Sequence, residues 1–253
     1  MKRSIIALLL ALTVALGLHA QQKVVIAAAA NISAVAPRLE AAFAASHRDL
    51  RLEFLFGSSG TLVAQLLNGS PAQVFLSADT SFAQKLVDAG VAVPPVKVYA
   101  RGSLILFSTN HLDFSKGLAI LADPRVARIA VANPESAPYG RAAREALSAM
   151  GLLGSLESKF ITGQNITQTL QFALSGADAG FINKSALYTK ELRPFDREGE
   201  YWIAVDPSLY GPIDQGFVVM KAAASDPGVR AFVDFLESAS AREIFAEAGY
   251  LVP

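Results

Sequence analysis

Short apolar runs alternate with amphipathic segments along most of this chain of 253 residues. The run KVVIAA at 23–28 is typical of a buried strand, and residues 37–45 follow it with the apolar spacing of a helix. The same alternation continues towards the C-terminus. Strands that alternate with helices favour an α/β fold with mainly parallel sheets.

The remaining segments extend this pattern. Further apolar runs predict strands at 50–55, 74–76, 103–109, 128–132, 160–162, 180–182, 201–205 and 216–220. Segments with helical periodicity predict helices at 61–67, 80–89, 118–121, 139–150, 165–174, 227–237 and 239–248.

The order of these elements predicts two lobes, with the chain starting in one, building the second and returning. We place residues 21–100 and 217–253 in lobe 1 and residues 101–216 in lobe 2, with crossings near 96–102 and 206–215. Open α/β sheets bind ligands beyond the carboxyl ends of their strands. A ligand is therefore expected in the cleft between the lobes.

Residues 1–20 predict an export signal peptide. Lys2 and Arg3 form a basic start, residues 5–18 are an apolar run, and Ala20 precedes polar Gln21. A membrane anchor is the alternative, but the run is shorter than the roughly 20 apolar residues that a spanning helix needs. We expect cleavage between Ala20 and Gln21 and an exported mature protein without membrane insertion.

Composition argues against several kinds of site. The chain has 22 basic and 22 acidic residues, and loss of Lys2 and Arg3 leaves a formal charge of −2. Nucleic-acid binding usually shows as a basic excess on one face, so none is expected. Zero cysteines exclude disulfides and thiolate metal sites, and His47 and His111 lack metal-ligand spacing. No cofactor and no direct protein–metal bond are expected.

Four turns that open predicted helices are candidates for anion binding, at 30–33 (ANIS), 57–60 (GSSG), 137–140 (APYG) and 164–167 (QNIT). The first N–H groups of a helix lack partners, and the helix dipole favours an anion there. Taken singly, such turns are ordinary caps, with Ser59 as an N-cap and Asn165 with Gln168 as a capping box. Two turns from each lobe can together enclose a small tetrahedral oxyanion without a cation.

Six stretches in a fixed order are more specific than any one of them: KVVIAAAANIS at 23–33, FGSSGTLVAQL at 56–66, PAQVFLSAD at 71–79, ANPESAPYGRAAREAL at 132–147, GQNITQTLQFALSGADAGF at 163–181 and AREIFAEAGYLVP at 241–253. This set resembles the periplasmic molybdate-binding proteins of ABC importers. The resemblance implies a two-lobed type II periplasmic-binding-protein fold, with mixed, mostly parallel sheets flanked by helices. It also implies a monomer that binds molybdate or tungstate as a bare dianion and delivers it to the importer's membrane subunits.

The resemblance further implies an oxyanion site made of Ala30, Asn31, Ser58, Ser59, Tyr139 and Ile166. Ala30 stands where other members have a hydroxyl residue, and Tyr139 and Ile166 would donate backbone N–H groups. Asn183 stands where some members supply a Tyr hydroxyl. The side-chain amide of Asn31 or the phenol of Tyr139 could compensate, because both can donate a hydrogen bond.

Three alternatives stay open at this stage. The ligand could be sulfate, phosphate or a small organic anion, the protein could be an enzyme on the same scaffold, or it could be a sensory domain. GSSG is not the Gly-x-Ser-x-Gly turn of a hydrolase, and no late histidine follows it, so a binding protein is favoured over an enzyme. Asp79 is expected to cap a helix or brace the lobes. Arg141 and Arg144 are expected to form a solvated face, to steer the anion or to contact the importer's membrane subunits.

Overall fold

The computed structural model describes residues 21–253, and the predicted signal peptide at 1–20 lies outside the described residues. Two five-stranded mixed sheets organise this part of the chain. Helices cover the sheets, and apolar side chains of both layers form the cores. The predicted α/β class with two lobes is confirmed.

The first sheet has the strand order β2-β1-β3-β10-β4. Its strands are β1 (Gln22–Ala29), β2 (Leu50–Gly57), β3 (Val74–Leu76), β4 (Lys97–Gly102) and β10 (Ile213–Val219). Strand β1 pairs in parallel with β2 and β3, whereas β10 is antiparallel to β3 and β4. The residues of β3 are fully buried, as expected for an apolar strand covered on both faces.

The second sheet has the order β7-β6-β8-β5-β9. Its strands are β5 (Leu104–Phe107), β6 (Ile129–Ala132), β7 (Phe160–Gly163), β8 (Ala179–Asn183) and β9 (Trp202–Ala204). Strand β6 is parallel to β7 and β8, and β5 is antiparallel to β8 and β9. Each sheet therefore combines a parallel core with one strand of opposite direction, β10 in the first sheet and β5 in the second.

Helices follow most of the parallel strands, close to the positions that the sequence predicts. They are α1 (Ala36–Ser46), α2 (Ser59–Leu67), α3 (Thr80–Asp88), α4 (Pro138–Ala149), α5 (Leu153–Leu156), α6 (Ile166–Ser175), α7 (Pro227–Leu236) and α8 (Ala239–Glu247). The short helix predicted at 118–121 lies inside a 3-10 helical stretch, Phe114–Ala122, which is interrupted at Gly117. Proline in the first turn suits α4 and α7, because the nitrogen there needs no hydrogen.

The chain passes between the sheets twice. It leaves the first sheet after Gly102 and returns at Ile213, so part of the predicted crossing at 96–102 is in fact strand β4. That strand was missed because the prolines before it gave the segment the character of a linker. The division into 21–100 with 217–253 and 101–216 stays a prediction, and strand membership favours boundaries just after Gly102 and just before Ile213.

Within residues 21–253, no helix is both long and apolar enough to span a bilayer.

Candidate functional site

The carboxyl ends of the parallel strands in the two sheets face each other. In the first sheet β1, β2 and β3 end at the turns that begin with Ala30, Ser58 and Ser77. In the second sheet the turns after β6 and β7 lead into α4 and α6. Parallel strands place such turns along one sheet edge, so the four predicted turns meet in the cleft between the lobes.

Ala30 and Asn31 open a 3-10 helix, Ala30–Ala34, directly after β1. Both amide hydrogens of Asn31 are already engaged, since Nδ2 lies 2.9 Å from Gln215 Oε1 and 2.8 Å from the Tyr250 hydroxyl. The expectation that this side-chain amide could donate to a ligand is not met in this conformation. The backbone N–H groups of the first turn have no acceptor within the helix and are the donors that this turn can offer.

Ser58 and Ser59 have different roles at the start of α2. Ser58, and not Ser59 as the sequence suggested, is the N-cap: its Oγ accepts from Thr61 N at 3.3 Å. Ser59 is the first residue of the helix, and its Oγ accepts from the backbone N of Ala78 at 3.0 Å. The Ser59 hydroxyl hydrogen can still be donated, because only the oxygen of that group is used in this bond.

Tyr139 and Ile166 place backbone N–H groups at the starts of two helices of the second sheet. Tyr139 follows Pro138 in the first turn of α4, and Ile166 is the first residue of α6. The predicted capping box is present, with Asn165 Oδ1 accepting from Gln168 N at 3.0 Å. First-turn N–H groups have no carbonyl in a preceding turn, so both can bind an anion.

These turns line one small recess between the lobes, formed by Ala29, Ala30, Asn31, Gly57, Ser58, Ser59, Ala78, Ala137, Pro138, Tyr139, Asn165 and Ile166. The structure thus brings all six predicted site residues together. None of the described residues that line the recess carries a charged side chain. The donors are backbone N–H groups and a hydroxyl, a set suited to an anion that has been stripped of water.

The described residues offer no alternative metal centre, since no three histidine, aspartate or glutamate side chains are placed to hold a metal ion.

Comparison with known proteins identifies the family of this chain. Residues 24–251 match the family described as bacterial extracellular solute-binding protein. This chain belongs to that family.

Two curated relatives of this solute-binding protein are described as molybdate-binding proteins. The one from Rhodobacter capsulatus is 38% identical over 96% of this chain and 94% of its own length. The one from Azotobacter vinelandii is 33% identical over 89% and 92%. The resemblance to molybdate-binding proteins that the motifs indicated is confirmed.

Solved structures of other proteins have the same fold as this chain. The Azotobacter vinelandii periplasmic molybdate-binding protein superposes with a TM-score of 0.83 at 29% identity, covering 91% of this chain and 99% of that one. The sulfate-binding protein SubI of Mycobacterium tuberculosis superposes with a TM-score of 0.71 at 16% identity, covering 90% and 86%. The second likeness is one of fold alone. The predicted type II periplasmic-binding-protein fold is confirmed.

The lobes of this solute-binding protein are in direct contact across the cleft. Gly60 N donates to Ser136 O at 2.9 Å, and Thr167 Oγ1 donates to Ala30 O at 3.3 Å. Each bond joins a residue of the first sheet's lobe to one of the second. We call this arrangement, in which the lobes are in contact beside the recess, the closed arrangement.

Asn183 does not line the recess. It borders a neighbouring cavity that shares Ala30 and Asn31 with the recess, and its Nδ2 donates to Ser185 Oγ at 2.6 Å. The phenol of Tyr139 lies against Gly102, whose added Cβ would be 2.0 Å from the hydroxyl oxygen. That hydroxyl has no well-oriented hydrogen-bond partner among the described residues, although Gln215 lies beside it.

Three residues behind the recess were missed by the sequence reading. Gln215 is fully buried in β10 and donates from Nε2 to Ala78 O at 3.2 Å and to Ile213 O at 3.3 Å. Tyr250 and Ser185 form a further buried pair. A glutamine beside apolar residues in the strand IDQGFVV was an available signal for the first. Nothing local marked the other two, because their contact joins residues far apart in the chain.

Burial raises the pKa of three tyrosines around the site. Burial raises the pKa of Tyr250 to about 12, although hydrogen bonds with Ser185 and Asn31 act in the opposite direction. Burial also raises the pKa of Tyr99 and of Tyr139 well above its usual value. All three phenols are therefore neutral at physiological pH and act as hydrogen-bonding groups without charge.

Proposed function

We propose that this protein captures molybdate or tungstate as a tetrahedral dianion and delivers it to the membrane subunits of an ABC importer. The observation that carries the proposal is the convergence of four helix-opening turns on one neutral recess. Identity of 38% to a molybdate-binding protein over nearly the whole chain supports the choice of ligand.

The neutral recess has a physical advantage for this task. Burial of an ion pair costs much desolvation free energy, whereas fixed dipoles can replace the water around an anion without a second buried charge. Backbone N–H groups only donate, so they favour a fully deprotonated ligand over one that retains a proton. The Ser59 hydroxyl adds a donor to those of the Asn31, Tyr139 and Ile166 turns.

Binding without chemical turnover is the rest of the proposal. Asp79 is the acidic group nearest in sequence to a lining residue, and it is engaged as a helix cap: Phe82 N donates to its Oδ1 at 3.0 Å. We further propose export with removal of residues 1–20, a periplasmic location and a monomeric state. Hinge closure of the lobes would trap the ligand, and opening at the importer would release it.

Calorimetric titration of the mature protein with molybdate, tungstate, sulfate and phosphate tests the ligand. We expect one molybdate or tungstate per chain, bound more tightly than sulfate or phosphate. Mass spectrometry of the natively purified protein should then detect molybdenum or tungsten. Tight sulfate binding with no heat from molybdate would overturn the ligand assignment.

A further inference from the structure

A directed chain of hydrogen bonds joins the second lobe to the Asn31 turn. Asn183 Nδ2 lies 2.6 Å from Ser185 Oγ, which lies 3.0 Å from the Tyr250 hydroxyl, and that hydroxyl lies 3.1 Å from the backbone O of Asn31. All four residues are buried, each 4% exposed or less. Asn183 and Ser185 belong to the second lobe, and Asn31 and Tyr250 to the first.

The direction of every bond in this chain is determined. Asn183 Nδ2 can only donate, so Ser185 Oγ accepts it and turns its own hydrogen towards Tyr250. The backbone O of Asn31 can only accept, so the single hydroxyl hydrogen of Tyr250 points there. The Tyr250 oxygen then accepts from Ser185 and also from Asn31 Nδ2, at 2.8 Å. The Tyr250 hydroxyl therefore donates one hydrogen bond and accepts two.

A second constraint fixes the side chain of Asn31. Nε2 of Gln215 donates to the backbone carbonyls of Ala78 and Ile213, which orients Oε1 towards Asn31. Only the NH2 group of Asn31 can face that oxygen, at 2.9 Å. Gln215 and Tyr250 thus hold both the side chain and the backbone of Asn31, and Tyr250 also accepts a hydrogen bond from Ser185 of the other lobe.

The segment that carries Tyr250 is anchored in the first lobe. Leu251 pairs with Arg101 at the end of β4, and the Tyr250 ring packs against Phe245 at a centroid distance of 5.5 Å. Gly249 approaches the second lobe so closely that an added Cβ would lie 2.5 Å from the ring of Tyr188. Separation of the lobes would break the contact to Ser185 while leaving Tyr250 attached to Asn31.

We propose that Tyr250 is a positioning residue that couples closure of the second lobe to the placement of the Asn31 turn. The inference rests on the proposed function, because that turn contributes to the oxyanion site. In the closed arrangement Ser185 completes the hydrogen bonding of the phenol, which holds the Asn31 carbonyl and keeps the N–H groups of the same turn directed at the recess. In the open arrangement the phenol loses the hydrogen bond from Ser185 and holds the turn less firmly, so the ligand is released more readily.

The test compares the mature wild type with Tyr250→Phe, Ser185→Ala and the double variant, using molybdate as the probe. Tyr250→Phe should weaken affinity about tenfold, mainly through faster dissociation, because a net hydrogen bond of about 1.4 kcal/mol corresponds to a factor of ten. Ser185→Ala should weaken the affinity about threefold in the wild-type background and hardly at all in the Tyr250→Phe background. The reason is that the Ser185 and Tyr250 hydroxyls form one interaction with each other.

Tyr99→Phe is the matched control. Its buried phenol lies 3.2 Å from Ser77 O and 3.4 Å from Gln215 Oε1, and both of these groups belong to the first lobe. Its affinity should stay within about twofold of the wild type, whatever it does to thermal stability. Equal effects of Ser185→Ala in both backgrounds, or equal affinities of the Tyr250→Phe and Tyr99→Phe proteins, would overturn the coupling. A wild type that binds no molybdate overturns the proposed function instead.

Discussion

Arg141 in α4 of the second lobe reaches Asp79 in the first lobe, with Nη1 2.7 Å from Oδ2. The Asp79 side chain is 4% exposed and that of Arg141 is 39% exposed. The geometry is that of an ion contact rather than a directed hydrogen bond, since Oδ2 receives no well-oriented donor. The pair joins the lobes next to the recess, because Ala78 and Tyr139 line it.

Arg141→Gln should weaken molybdate binding about fivefold, since a partly exposed ion pair contributes about 1 kcal/mol or less. The substitution should lower affinity because the contact between Arg141 and Asp79 exists only in the closed arrangement. Titration calorimetry at low and at high salt measures it, and salt should reduce the difference between the two proteins. Arg144→Gln is the control, because its partner at 2.8 Å, Glu157, lies in the same lobe. Equal affinity losses in both variants would contradict a role in closure.

Gly60→Ala should lower the affinity for molybdate without lowering the stability of the ligand-free protein. An added methyl would lie 2.9 Å from Ser136 Cα across the cleft and would hold the lobes apart. Alanine is the better residue inside α2 by up to about 1 kcal/mol, so the ligand-free protein should unfold at the same or a higher temperature. Affinity should fall about tenfold or more, because such overpacking costs about 1–3 kcal/mol.

Gly154→Ala provides the comparison for that variant, because nothing lies within 4 Å of its added Cβ. Its molybdate affinity should match that of the wild type. A Gly60→Ala protein with wild-type affinity would show that the contact between Gly60 and Ser136 is absent from the ligand-bound state.

Ser59→Ala should weaken binding by about 1.5–3 kcal/mol, the range for a hydrogen bond to a charged group. The neighbouring Ser58→Ala should act chiefly on stability, costing about 1 kcal/mol through loss of the N-cap of α2. Titration and thermal unfolding of both variants distinguish the two roles. Unchanged affinity in the Ser59→Ala protein would remove that hydroxyl from the site.

Stability should fall between about pH 10 and pH 12. The Tyr250 pKa is about 12 in the folded protein, against about 10 in the unfolded chain. Above pH 10 the unfolded chain therefore releases the phenol proton while the folded protein keeps it, which favours unfolding. A shift of this size corresponds to roughly 2–3 kcal/mol.

Denaturant unfolding at several alkaline pH values measures this loss. Tyr250→Phe should show a shallower decline than the wild type, and parallel curves for the two proteins would contradict the assignment to Tyr250. Burial of Tyr99 and Tyr139 acts in the same direction, so some decline should remain in the variant.

The sequence by itself determined the α/β class, most element positions and the six residues that meet in the recess. Local signals suffice for the class and the elements: apolar periodicity for strands and helices, and cap residues such as Asn165. The six residues were implied by the family resemblance that the motifs in a fixed order carry. The choice between Ser58 and Ser59 as N-cap was wrong by one residue. Helix ends depend on backbone geometry that two adjacent serines cannot distinguish.

Only the tertiary structure decided how the site is held. The contacts of Arg141 with Asp79, of Gly60 with Ser136 and of Tyr250 with Ser185 join residues that lie far apart in the chain. No local pattern encodes such pairs, because they exist only once two separately built lobes have closed. The sequence thus indicated which groups are candidates for binding an anion, and the packing of the protein determined which of them already have hydrogen-bond partners.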